Sequence, residues 1–258
     1  MLETIELVTI LVYAWDRYSP AWPVFCYGIG KYWPDCPYPV AFLTNALDPP
    51  CGIAIKVGLE NNFFRKLSIG LNNIETPYIL FMHEDYWLKK SVNTEAIQTY
   101  VSFLEQDKAD YIRLIPAPGP DRDFPEDNRL GIINQESRYR LSFMASLWRV
   151  SVLQEVMNMN PKLSLWEMEK YGASLTQQYC DRFLCVKKST DGLSYDLTAI
   201  TAQQWTSVAY QYAKDENIYI EFDKLPLPPI QYRLKERLHR LTYRVKKMSL
   251  RAVKLLKA

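Results

Sequence analysis

The sequence predicts an α/β protein: a mostly parallel sheet flanked by helices, followed by a basic amphipathic helix at the carboxyl end. Three observations predict it. Between Ile5 and Ile115, short runs rich in β-branched and aromatic residues alternate with segments of helical periodicity, the pattern of strand–helix–strand units. Those runs are apolar at successive positions, as in strands buried on both faces of a parallel sheet. Lastly, residues 231–258 hold ten Lys or Arg against one acid, Glu236, so the net charge of +2 conceals +9 in the tail and −7 in the remainder.

The elements follow in order. Ile5 to Ala14 reads as a buried strand that ends at Trp15-Asp16-Arg17. An aromatic and an acid at that point fit either contacts to a nucleobase and ribose or an ordinary turn. Ala21 to Trp33 is a helix that accepts Pro23 in its first turn. Its GIGKYW segment lacks the third glycine of a dinucleotide fingerprint, so an NAD site is not expected. Strands are predicted over Pro39 to Thr44, closing on Asn45, and over Ile53 to Val57. Phe63 to Ile74 has helical spacing with Asn61 or Asn62 as its cap.

The central strand is Tyr78 to Met82, which stops abruptly at His83-Glu84-Asp85. Ligands of open α/β sheets bind beyond the carboxyl ends of strands. Two carboxylates placed there suit a hard divalent cation that in turn holds a diphosphate. Asn93-Thr94 caps a helix to about Gln106, and Ala109 to Ile115 is a further strand. From Pro116 to Arg138 four prolines break the pattern, and the segment reads as a loop over the site. Order returns with a strand over Leu141 to Trp148, then helices over Val152 to Met157 and Leu163 to Ala173, the latter with Ser164 near its cap. On that helix Glu167 and Glu169 point different ways, so at most one faces a given substrate. Arg182 to Val186 is a late strand and Trp205 to Asp215 a late helix.

Two domains follow: residues 1–224 as the α/β body, and 225–258 as a Pro-rich break (LPLPP) with the tail. In the tail Leu234, Leu238, Leu241, Val245, Met248, Ala252 and Leu255 make one apolar stripe among cationic positions. Such a helix suits the headgroup region of an anionic membrane; a coiled-coil seam or packing on the acidic body are the other readings.

Composition narrows the class. With 258 residues, 48% hydrophobic and 23% charged, the chain has material for a large globular core. No run of 18 apolar residues predicts a membrane span, and the acidic start is not that of a signal peptide. Only His83 and His239 are present, which excludes a zinc site built on several histidines. Cysteines at 26, 36, 51, 180 and 185, without CxxC spacing, predict reduced thiols and a cytoplasmic setting. Nucleic acid binding is disfavoured by the lack of aromatic interleaving in the tail.

Five segments, in order, carry a resemblance: ILVYAWDRY, KYWPDCPYPVAFLTN, IETPYILFMHEDYWL, SLWRVSVLQEVM and LSLWEMEKYGA. Over roughly residues 5 to 190 the chain resembles bacterial glycosyltransferases of the GT-A fold, of the family-two-like group that builds surface polysaccharides. The resemblance implies a Rossmann-like core. It also implies a sugar transferred from a nucleoside-diphosphate donor to a glycan or lipid-linked acceptor, with inversion. It puts Glu84-Asp85 in the role of the Asp-x-Asp site for a divalent cation (Mn or Mg), although His83 replaces the first Asp. Leaving-group charge must be stabilised, and a base from a different segment must take the acceptor proton. Glu169, in a W-x-x-E arrangement with Trp166, is the candidate base and Glu167 the reserve. Trp15, Asp16 and Arg17 are candidate base and ribose contacts, and Thr44, Asn45, Asn61 and Lys66 further donor-site candidates. The alternative is a catalytically silent relative that binds glycan or nucleotide as a scaffold. The tail would place the enzyme at the inner face of the membrane.

Overall fold

A computed structural model describes residues 7–60, 62–159, 163–195 and 198–226 of the chain. It divides into two compact units, with the boundary between residues 197 and 198. The expected tail helix over 231–258 and the donor candidate Asn61 lie outside the described residues.

In the first unit the elements are β1 (Val8–Tyr13), α1 (Trp22–Tyr32), β2 (Val40–Thr44), β3 (Ile53–Lys56), α2 (Phe63–Asn72), β4 (Tyr78–His83) and α3 (Thr94–Glu105). They continue as β5 (Tyr111–Arg113), β6 (Arg122–Asp123), β7 (Leu130–Ile132), β8 (Ser146–Arg149), α4 (Val150–Met159), α5 (Leu165–Leu175) and β9 (Phe183–Val186). Nine described strands form one sheet in the order β3-β2-β1-β4-β8-β5-β9-β7-β6. Its first four strands are mutually parallel, and only β8 and β7 run against the rest. The core is therefore Rossmann-like, a mixed but mostly parallel sheet flanked by helices, as the sequence predicts.

The strands form where side chains are apolar on both faces, and successive residues feed opposite layers. Leu11, Leu43, Ile79 and Phe81 belong to one core cluster with Phe64, Leu67 and Leu71 of α2, Val152 and Val156 of α4, and Met168 of α5. Phe42, next along β2 from Ala41, points the other way and meets Trp22 and Phe25 of α1 at ring distances of 5.9 and 5.4 Å. Burying each such side chain is worth roughly 1.5–3 kcal/mol. Side-chain caps fix the helix starts: Asn62 accepts from the Arg65 N–H at 3.0 Å, and Asn93 from Ala96 at 3.0 Å.

Two expectations need correction. Residues 116–138 are not a loop over the site. They contain β6 and β7 at the far edge of the sheet, with β7 four strands from β4, roughly 19 Å at ordinary strand spacing. Cys26 and Cys51 are not reduced thiols but a disulfide, leaving Cys36, Cys180 and Cys185 free. Since β2 and β3 are parallel, residues 45–52 must return to the strands' amino ends, and this brings Cys51 to α1. Gly52 makes the turn with φ of +72°, and a Cβ there would meet the Val40 carbonyl oxygen at 2.3 Å.

The second unit, as described, is a hairpin of β10 (Ile200–Thr201) and β11 (Gln204–Trp205) followed by α6 (Ser207–Glu216). Trp205 is its buried centre and packs against Phe222, whose ring stacks on Tyr210 at 3.8 Å. Among the described residues no helix is long and apolar enough to cross a membrane.

Candidate functional site

The sheet's strand order reverses direction between β1 and β4, the topological switch point at which open α/β sheets bind ligands. The parallel register pairs Tyr13 with His83, the last residues of the two strands. One step on, the Glu84 N–H donates to the Tyr13 carbonyl (3.4 Å) and the Trp15 N–H donates to Glu84 Oε1 (3.1 Å). The two strand ends thus open into a cavity of about 290 Å³ lined by Tyr13, Trp15, Tyr18, Glu60, Lys66, His83, Glu84 and Asp85. Aromatic rings make one side: Trp15 meets Tyr18 edge-on at 5.1 Å, and the Arg17 guanidinium lies 5.8 Å from the Trp15 ring centre.

Lys66, in the first turns of α2, brings a cation into the cavity floor. Its ammonium donates to the Ala14 carbonyl at 2.5 Å and to Asn45 Oδ1 at 3.4 Å, and lies 5.2 Å from the Tyr13 ring centre. Burial lowers its pKa to about 8, against the opposing pull of Glu84 and Asp16. Glu84 is also buried. Loss of water, and then the charge of Asp85 beside it, push its carboxyl well above the usual carboxylate range. His83 turns its Nε2 to the Phe143 carbonyl at 2.9 Å; a carbonyl only accepts, so Nε2 carries the proton. Burial lowers this imidazole's pKa to about 4.

Next to His83, outside the cavity lining itself, residues that the sequence keeps far apart come together. Glu169 of α5 accepts from the Ser142 hydroxyl at 3.0 Å and from the Phe143 N–H at 2.8 Å, both through Oε1. Residue 143 is thereby held by Glu169 at its N–H and by His83 at its carbonyl. Glu169, Asp85 and Glu84 all bear electrostatically on Tyr86, which stacks on Tyr195 at 4.7 Å. Glu167 lies elsewhere: it is exposed and closes a capping box with Ser164.

The remaining candidates have structural partners. The Asp16 carboxylate accepts from the backbone N–H groups of Asn45 (2.8 Å), Ala46 (2.8 Å) and Leu47 (3.0 Å), so it clamps the segment after β2 and does not line the cavity. Asn45 bridges that clamp to Lys66 and, through Nδ2, to the Gly58 carbonyl at 2.8 Å. Thr44 is fully buried, and its hydroxyl has no hydrogen-bond partner among the described residues. Tyr13, Tyr18 and Glu60 are cavity residues that sequence reasoning missed. The signal for the tyrosines was their nearness to Trp15, at the end of one strand and in the turn that follows.

Among the described residues no group of three or more His, Cys, Asp or Glu is disposed to hold a metal ion. Mg²⁺ commonly takes only one or two carboxylates and completes its shell with waters and substrate phosphates. Asp85, in the cavity lining, fits that mode. Glu84 does not, because its burial disfavours the charged form and one oxygen already serves the Trp15 amide.

No family model matches the chain, and no curated protein matches its sequence. Solved structures with a similar chain trace include the first 349 residues of S. aureus TarS, with a TM-score of 0.48 and 14% identity, over 74% of this chain and 60% of that one. The same TarS segment in complex with UDP-GlcNAc gives 0.49 and 12%, over 76% and 59%. An active-site mutant of LgtC gives 0.35 and 12%, over 66% and 64%. The chain spans about 60% of the TarS segment's length.

Proposed function

We propose that the chain is a glycosyltransferase that moves a sugar from a nucleoside-diphosphate donor to a glycan or lipid-linked acceptor, with inversion. The observation that carries the reading is the cavity at the β1/β4 switch point, aromatic at one side and acidic at the other. Trp15 offers a face for the base, with Arg17 beside it. Asp85 faces the diphosphate. A divalent cation bound there would neutralise charge on the departing diphosphate. Glu169 keeps Oε1 engaged with Ser142 and Phe143 and offers its second oxygen to the acceptor hydroxyl.

The acceptor oxygen bonds to the anomeric carbon as the bond to the diphosphate breaks, and the electron pair leaves with the nucleotide. The hydroxyl proton passes to Glu169. Glu167, spent on its helix cap, has no part in this. The basic tail would hold the enzyme at an anionic membrane surface, close to a lipid-linked acceptor.

A panel of nucleotide sugars, assayed with manganese, with magnesium and without either, tests the reading through D85A and E169Q. Loss of the base should lower transfer about 10²–10⁴-fold while nucleotide still binds. D85A should weaken binding and turnover together. Full turnover in both variants would remove the assigned roles; nucleotide binding with no transfer by the wild type would favour a silent scaffold.

A further inference from the structure

Among the described residues of the first unit, Trp166 is the most exposed large aromatic, ahead of Tyr171. It is 76% exposed, and among the described residues it belongs neither to the apolar core nor to the side chains packed on it. A tryptophan left in water forfeits the burial that normally accounts for its presence. Its helix is not short of apolar contacts: Met168 is fully buried, and Gly172 lies so close to Leu141 that a Cβ would meet it at 2.9 Å. Residues three apart on a helix sit about 60° from each other, so Trp166 occupies the same flank of α5 as Glu169. Tyr171 and Glu167 fall on the opposite flank. Beside a flat exposed ring there is thus a carboxylate held in place by Ser142 and Phe143, one residue removed from the cavity wall at His83.

We propose that Trp166 is the stacking platform for a sugar ring of the acceptor, which makes it a specificity-determining residue; the inference rests on the glycosyltransferase reading. A pyranose is amphipathic in the matching way. Its C–H groups form an apolar face that covers an indole, and its rim carries hydroxyls that a neighbouring carboxylate accepts. A lipid chain would use the indole but gain nothing from the fixed carboxylate. A nucleobase is served by the Trp15 side of the cavity.

The test reads the two aromatic surfaces separately in one protein. Incorporating 5-fluorotryptophan places seven fluorine probes in the chain, and W15F and W166F assign two of them. Trp22, Trp33, Trp148 and Trp205 are buried and serve as internal references, while Trp87, whose indole N–H donates to the Glu84 carbonyl, is left out of that set. Uridine, guanosine and cytidine diphosphates with magnesium are titrated first, then maltotriose, lactose and chitotriose in their presence. A diphosphate should move the Trp15 resonance, and a glycan should move that of Trp166 in a saturable way. W166A should raise the acceptor KM at least tenfold, and E169Q should weaken the Trp166 response to glycan at least threefold, since stacking on a bare indole would be indifferent to Glu169. If Trp15 answers to a nucleotide but Trp166 to none of the glycans, or equally well in E169Q, the platform is refuted and the donor site stands. If Trp15 ignores every nucleotide, the proposed function itself falls. A Trp166 response to phosphatidylserine vesicles in place of glycans also overturns the platform.

Discussion

Lys66 enters the cavity with its ammonium almost wholly out of water, 2% of the residue remaining exposed. Its partners are the Ala14 carbonyl, Asn45 and the Tyr13 ring, and none of these is an ion. Burial therefore makes the ammonium easier to deprotonate, with a pKa of about 8 against 10.5 in the open chain. The sign of the linkage follows. Below pH 8 both states keep the proton, and folding bears the full cost of burying the charge. Between 8 and 10.5 the folded state has released a proton that the unfolded chain still holds, so the contribution of Lys66 to stability rises with pH. From pH 8 to 9.5 that contribution should rise by about 1 kcal/mol once screening by solvent in the cavity is allowed for. The difference between wild type and K66M in urea unfolding at those two values measures it. The thiols of Cys36 and Cys185 and the phenols of Tyr13 and Tyr86, whose pKa values burial raises, pull the other way in both proteins. An equal change in the two proteins would mean that Lys66 is not responsible. A neighbouring residue shows the limit of reading single positions. Trp15, Asp16 and Arg17 are adjacent at a strand end, and the sequence offers all three to the ligand. Only Trp15 lines the cavity, because Asp16 finds three free backbone amides after β2, partners that no sequence pattern announces.

At the scale of elements, the strands and helices before residue 116 were legible because burial on both faces or one apolar stripe writes itself into the sequence. Predicted and observed spans agree within a few residues for β1, β2, β3, β4, α1, α2 and α3. The 116–138 stretch was not legible for a physical reason. β6 and β7 are two and three residues long, too short to show a period, and exist only because β7 pairs with β9. What organises this segment is a buried cation. The Arg113 guanidinium, fully buried, donates to the carbonyls of Pro118 (2.7 Å), Tyr139 and Arg140 (3.1 Å), and so ties both ends of the excursion to β5. R113M would leave those carbonyls without a donor in a dry environment. The expected cost is about 2–4 kcal/mol, part of the loss being offset by no longer burying a charge. A lower urea midpoint together with faster proteolysis between residues 116 and 140 is the expected result. An unchanged midpoint and cleavage pattern would show that the strands alone hold the segment.

Over the whole molecule two features pull in different directions, and both are measurable. The Cys26–Cys51 bond closes a loop with a sequence separation of 25 and should contribute about 3–4 kcal/mol by restricting the unfolded chain. Structural disulfides are rare in a reducing cytoplasm, where the proposed donor chemistry would place the enzyme. Thiol titration in denaturant, which opens the fully buried Cys185, decides the matter: three reactive thiols before reduction and five after it are expected. Five at the outset would mean that the pair is reduced in the isolated protein. The tail's behaviour follows from charge alone. Residues 231–258 carry a balance of +9, whereas the rest of the chain sums to −7. Each cation near an anionic surface contributes about 1 kcal/mol, screened within about 10 Å at moderate salt. The acidic body would be repelled by that same surface, so attraction must come from the tail or not arise. Full-length protein should therefore bind vesicles containing phosphatidylserine at low salt, lose most of that binding near 0.5 M salt (roughly a 4 Å screening length) and ignore purely zwitterionic vesicles. Removing residues 231–258 should abolish binding while leaving the nucleotide response of Trp15 intact. Equal vesicle binding with and without the tail would transfer the attraction to the body, against its charge, and would retire the membrane assignment.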